Sequence, residues 1–274
     1  MNLANKFLVL MLLLLTRADG LHGVGLVDAY IGFDQPLQGH SHILAKFEAP
    51  LASEQEKRCL TFLKHKFPEE TIAFGRFRQN NLADWMLQQS EHVETTTEAL
   101  LEIIHDESAD LLWREFCIQK LALAISQPGL SGRLQAECYK TLERMAEDSR
   151  ISFSGTALLG LYRLHKTDSE RLPAEGILPL AETVLRQNEF PMANKVTALQ
   201  VAGLLGSREA LEYARAIVQS DENIQLRISA IALLGQQGNS EDLKIIKRLN
   251  QSKDLRLRQS SRAATEKLES LLNH

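Results

Sequence analysis

Along residues 239–252, written NSEDLKIIKRLNQS, Leu243, Ile246 and Leu249 stand at helical spacing, and Lys244, Lys247 and Arg248 fall off that stripe. That alternation predicts an amphipathic helix. The stretch before it, Ile224 to Gly238 (IQLRISAIALLGQQG), is apolar enough for burial, yet it carries an arginine near its start and glycines at its end. The pairing recurs. VTALQVAGLLG, ending at Gly206, is followed by SREALEYARAIVQS, and superposition places Leu211 on Leu243, Ile217 on Leu249 and Ser220 on Ser252, each 32 residues apart. Self-similarity at a fixed period of this size is the mark of a solenoid, in which each helix pair hides its apolar stripe against its neighbours.

The pattern extends backward in looser form. Residues 151–164 with 177–187, and 111–125 with 134–146, read as further helix pairs, the latter turning at QPGLSG. Thr95-x-x-Glu98 and Ser53-x-x-Glu56 read as capping boxes, Ser207 and Ser240 as N-caps, and Gly206, Gly235 and Gly238 as left-handed helix ends. About a dozen helices emerge, and no strand run follows residue 50. The expected fold is all-α: a right-handed α-solenoid of stacked helix pairs over 97–274, preceded by N-terminal helices over 51–96 and an irregular segment over 19–50.

The pattern D-x-x-x-x-[LVI]-R-x-x-A-x-x-[AL]-L-G followed by an amphipathic helix resembles the HEAT repeat of the armadillo/HEAT-like family. Asp221 to Gly235 carries it best; Asp254 to Glu266 keeps Leu257, Arg258 and Ala263 without the glycine, and Asp106 to Ile125 is similar with an insertion. The resemblance implies that Asp221, Arg227, Gly235 and Arg258 hold turns and neighbouring repeats together. It imports no catalytic residue. Such repeats also occur in some lyases and hydroxylases, whose functional residues find no matching motif here. In the last helix, polar Gln259, Ser260, Ser261 and Arg262 replace the apolar run of its predecessor, as a solenoid's wetted terminal cap requires.

The first residues stand apart. One lysine, then the apolar run Phe7 to Leu15, then small residues at Thr16 and Ala18, fit a secretory signal over 1–18 with cleavage after Ala18. The run is too short for a span of about 20 apolar residues. A secreted or periplasmic chain follows as the expectation, in which disulfides persist. Cys117 and Cys138 lie on either side of the turn at Gln127–Pro128, so a helix hairpin would place them opposite each other as a candidate disulfide, with the alternative of two buried thiols; Cys59 is then odd.

Candidate chemistry is sparse. His40 and His42 in QGHSH would point the same way from an extended segment and form a weak metal pair, needing a third ligand from Asp28, Asp34 or His22. His65, His92, His105 and His165 share no ligand spacing and read as packing or surface histidines. No nucleophile elbow, zinc-protease motif or phosphate loop occurs, and no cofactor is implied. A formal charge of −4 gives no footprint for nucleic acid. Charge is uneven, however: seven acids and no lysine or arginine fall between Glu91 and Asp110, and eight cations against three acids between Asp242 and Lys267. Either these are solvated faces, or the chain is dipolar with a basic end for an acidic partner. The function expected is a scaffold or adaptor holding a macromolecule, a protein above all, through polar residues of the second helices: Glu212, Arg215, Lys244, Lys247 and Arg248. The alternatives are a metal or enzymatic protein built on His40 and His42, and a purely structural envelope protein.

Ile231 lies mid-stripe in the best repeat. Ile231→Asp is expected to melt the C-terminal half cooperatively, read by circular dichroism during a thermal scan; an unchanged curve with full helicity contradicts its burial.

Overall fold

A computed structural model of the chain describes residues 24–32, 44, 46–149 and 152–273. Among the described residues there are thirteen helices and no strand. The first five are α1 (Val24–Ile31), α2 (Ser53–Leu63), α3 (Ile72–Leu87), α4 (Val93–His105) and α5 (Leu111–Ile125). Then come α6 (Gly132–Glu147), α7 (Ser154–Thr167), α8 (Ala174–Arg186), α9 (Met192–Leu204) and α10 (Arg208–Val218). The chain closes with α11 (Ile224–Gln237), α12 (Ser240–Leu249) and α13 (Leu255–Leu272). Two compact units divide the chain at Gln135/Ala136, within α6.

In the second unit, α7, α9, α11 and α13 pack side by side as one layer, each against the next. Helices α8, α10 and α12 form the other layer, each seated between two first-layer helices. This is the helix-pair repeat that the 32-residue spacing predicts. Ile231 is fully buried in α11, with Leu226, Ala230 and Leu234 beside it. The first unit repeats the plan with α3 on α5 and α2 on α4. Within the segment that lacks a pattern, α1 is one short helix packed on α2, with Val27 and Tyr30 buried.

Local chemistry sets the helix ends, and several differ from expectation. Ser207 caps α10 as read, its hydroxyl accepting from Ala210 N at 3.0 Å. At α12 the cap is Asn239, not Ser240: Asn239 Oδ1 accepts from Glu241 N and Asp242 N, and Asp242 accepts from Asn239 N at 2.9 Å. Thr95 and Glu98 make no capping box, because α4 starts earlier, at Val93. At α2 it is Gln55, not Glu56, whose side chain accepts from Ala52 N at 2.9 Å. Of the three glycines only Gly206 is left-handed, with φ +78°. There Ser207 N donates to Ala202 O and Gly206 N to Gly203 O, the paired bonds of a Schellman end.

Gly235 has a different task. It lies inside α11, where an added Cβ would sit 2.6 Å from Ala264 Cβ and 2.8 Å from Ala264 Cα. Its missing side chain lets α11 and α13 approach, so it is a spacing residue rather than a turn residue. Asp221 is exposed and Asn223 caps α11, so the joint role implied for the aspartate is filled two residues later. In the last repeat Asp254 does cap α13, accepting from Arg256 N.

The arginines act as joints. Arg227 reaches back to Val218 O at the end of α10 (3.4 Å), and Arg258 to Ser252 O just past α12 (3.1 Å). Arg114 does the same to Ile104 O at the end of α4, through Nε and a terminal nitrogen at 3.0 and 2.9 Å. Buried Gln79 serves α2, donating to Phe62, Leu63 and His65 carbonyls. Arg78, wholly buried among the rings of Tyr30, Phe62 and Phe74, donates to Tyr30 O near the end of α1. Each side chain satisfies carbonyls that a helix leaves orphaned at its C-terminus, where the macrodipole also favours positive charge.

A second set of bonds ties successive second-layer helices together. Arg186 of α8 forks onto Glu209 in the first turn of α10, with both contacts at 2.6 Å. Arg215 of α10 forks onto Asp242 in the first turn of α12, both at 2.8 Å. Asp242 is 1% exposed, and its hydrogen bonds to Arg215 hold its carboxyl below the ordinary range despite burial.

Two outcomes follow for stability in urea. Arg215→Ala leaves the buried Asp242 carboxylate without its cation and is expected to cost about 3 kcal/mol. Because the folded Asp242 pKa is depressed, that stabilisation is present above the unfolded value near ~4 and fades as pH falls through the folded one, so wild type and R215A converge in acid. Gly235→Ala gains roughly 1 kcal/mol of helix propensity but must displace the α13 backbone, an overpacking cost of about 1–3 kcal/mol, so net destabilisation of about 1 kcal/mol is expected.

Candidate interaction surface

The amphipathic helices α10 and α12 bury Ala210, Ala214, Ile217, Val218 and Ile246, and turn their charged faces outward. The five contacts expected from sequence divide there. Arg215 is drawn into the lock on Asp242 and is a structural joint, because a bidentate fork onto a buried carboxylate outweighs solvation of the guanidinium. Glu212 stays solvated, 3.4 Å from Arg208 one turn away. Lys244 pairs with Glu241 at 2.7 Å, and Lys247 reaches Glu269 of α13 at 2.6 Å. Arg248 is exposed at the end of α12. Exposed pairs of this kind contribute about 0–1 kcal/mol, so they exchange readily for a partner's charges. Lys253, Arg262 and Lys267 are also exposed, so the basic C-terminal region of the sequence stands on the surface. Ser261, expected on the wetted cap, is instead fully buried, donating to Asn250 Oδ1 at 2.7 Å.

The acidic stretch is largely exposed and makes its pairs within the first unit. Glu94 accepts from Ser131 N at 3.0 Å, and Ser131 pulls its pKa down. Glu98 pairs with Arg133 at 2.8 Å, Glu102 with Lys64, and Asp106 with Lys66 at 3.1 Å. Ser108, then Lys66, holds the Asp106 carboxyl at about 2. Asp110 caps α5 through Trp113 N (2.8 Å) and takes a fork from Arg76, both contacts at 2.5 Å. Burial alone would raise the Asp110 pKa; Arg76 and the helix amides hold it below its ordinary value. Sequence alone could flag these acids only by their three- to four-residue spacing; the distant partners just named lie 34 to 40 residues away, and only packing pairs them.

Three of these ion pairs (Lys64–Glu102, Lys66–Asp106 and Arg76–Asp110) line a groove of about 390 Å³ in the first unit. Its floor is Leu63, Gln79, Ile103 and Trp113, all buried, with Trp113 Nε1 donating to Leu63 O at 2.9 Å. The charges balance across the groove, so it presents neither an anion nor a cation site. Trp113 and Gln79 escaped the sequence reading, since a lone tryptophan or glutamine on a helix carries no motif.

Cys59, Cys117 and Cys138 are buried free thiols, so the structure holds no Cys117–Cys138 bridge. Apolar burial pushes Cys138 up to about 12 and Cys117 well above its ordinary value. His40 and His42 lie outside the described residues. Among the described residues no cluster of three or more histidine, cysteine or acidic side chains is placed to hold a metal ion, and no helix is long and apolar enough to cross a membrane.

No family model matches the chain, and no curated protein matches it. Among solved structures it is similar to an engineered protein, at 14% identity and a TM-score of 0.43, over 79% of this chain and 99% of that one. It is also similar to human deoxyhypusine hydroxylase in complex with glycerol, at 15% identity and a TM-score of 0.37, over 89% of this chain and 96% of that one.

Proposed function

We propose that this chain is an extracytoplasmic HEAT-like repeat adaptor that holds a protein partner on the second-layer helices of its second unit and performs no catalysis itself. One observation carries the reading. Lys244, Lys247 and Arg248 stand exposed on α12, while the same helix is fixed at its N-terminus by the Arg215–Asp242 lock. A charged surface on a rigid frame loses little entropy when it binds, and charge complementarity selects its partner. The joint arginines Arg114, Arg227 and Arg258 support the HEAT-like assignment, since they do what the resemblance implies for such positions. The apolar run Phe7 to Leu15 with small residues at Thr16 and Ala18 supports export. A protein fits better than nucleic acid, because Glu241 and Glu269 stand among the cations.

The test places a photo-crosslinking residue at Arg248 in cells and, as a control, at exposed Phe77 in the first unit. A discrete protein adduct from position 248 is expected. The charge reversal K244E/K247E/R248E is expected to weaken that complex at least about tenfold with helicity unchanged, as loss of steering and rim pairs would. Intact binding by the reversed protein defeats the reading, and a cytosolic chain that retains Met1 defeats its extracytoplasmic part.

A further inference from the structure

His92, the cap residue of α4, joins three elements of the first unit and is 2% exposed. Its Nε2 lies 2.9 Å from Leu51 N, and its Nδ1 lies 3.0 Å from Glu56 Oε1 of α2. A backbone amide can only donate, so Nε2 must carry a lone pair and the ring proton sits on Nδ1, facing Glu56. Thr95 Oγ1 donates to the same Glu56 oxygen at 2.6 Å and fixes it. The ring is therefore held neutral in one tautomer by partners on both sides. Among the described residues, the charged groups facing it are Glu56 from α2 and Glu91 from its own turn; α3 contributes the Trp85 ring, 6.3 Å away, and the segment before α2 contributes Leu51 N–H.

That segment covers aromatic surface. Phe47 packs edge-on against Trp85 at 5.2 Å and Tyr30 at 5.9 Å, and Leu51 is buried. We propose that His92 is a pH-operated latch: neutral, it holds the Phe47–Ala52 segment through Leu51 N–H, and protonated, it lets that segment go. A solvent proton taken up at Nε2 turns the acceptor into a donor that faces the donor N–H of Leu51. The Leu51 bond must break, while Nδ1–H keeps its bond to Glu56. The two carboxylates attract the imidazolium and so favour the released form in acid. The latched form excludes that proton and the released form binds it, so the balance moves from latched to released as pH falls. Release bares Trp85 and the Tyr30 edge within the first unit, independently of the surface on α12.

Hydrogen exchange on the full chain tests this at about pH 7.5 and about pH 5, corrected for intrinsic rates. Leu51 is expected to lose at least about tenfold of its protection in acid while Ile231 keeps its own. His92→Gln, whose side-chain oxygen still accepts but does not titrate, is expected to hold Leu51 protected at both values. Equal protection of wild-type Leu51 at the two values overturns the latch, as does a loss that persists in H92Q. Nitrogen NMR of the wild-type ring decides even if H92Q does not fold: Nε2 protonation and the Leu51 amide change must coincide, and ring titration without that change overturns the proposal.

Discussion

Every helix ends in carbonyls without intrahelical partners, and a stack of short helices multiplies such ends in places where water is scarce. This chain meets the constraint with a side chain from a following helix, reaching back to the end of an earlier one. Arg114 serves α4, Arg227 serves α10, Arg258 serves the turn after α12, Gln79 serves α2 and Arg78 serves α1. The bond does two things at once. It satisfies the orphan acceptors, and it fixes the angle at which one helix leaves another. Repeat register follows, which is why the apolar stripes of α7, α9, α11 and α13 meet face to face.

Helix beginnings are handled in the complementary way. Asp110 and Asp242 each accept backbone amides at the start of a helix while taking a forked arginine from a neighbouring one. A carboxylate at a helix N-terminus is favoured by the dipole, and the guanidinium offsets what burial costs. Acidic starts and basic reaches thereby turn much of the chain's charge inward. Among the charges that stay exposed are Lys244, Lys247 and Arg248 on α12 and Lys253, Arg262 and Lys267 around α13.

Much of the fold was legible in the residues, above all in the second unit, where the 32-residue spacing and the apolar stripes carry the helix pairs without ambiguity. Helix α3 shows the limit. Its buried face includes Arg78 and Gln79, so its stripe is interrupted by polar residues whose burial makes sense only beside the helix ends they cap. Caps shifted for a related reason. Ser240, Thr95 and Glu56 have the chemistry of cap residues, but Asn239 competes better at α12, Glu56 is drawn to His92, and Thr95 donates to Glu56. Gly235 looks like a turn former in sequence and proves to be a gap for a neighbouring backbone. At the surface, Lys244 and Arg248 lie exposed as their off-stripe positions predict, whereas Arg215 does not, because its partner Asp242 is 27 residues away.

The one-dimensional pattern alone determined the all-helical class and the repeat period, since these depend on periodicity, which is local. Tertiary structure alone decided which polar residues are joints and which are surface: a charge on an exposed-looking helical position can be solvated or locked, and only the arrival of a distant carboxylate or a helix end settles which. It also decided the state of His92, a histidine without motif in the sequence. Its single tautomer exists because Leu51 N–H and Glu56, from separate elements, close on its two nitrogens. Hydrogen bonds between distant segments cost chain entropy that only a packed stack can offset, so they are written in contacts and not in spacing.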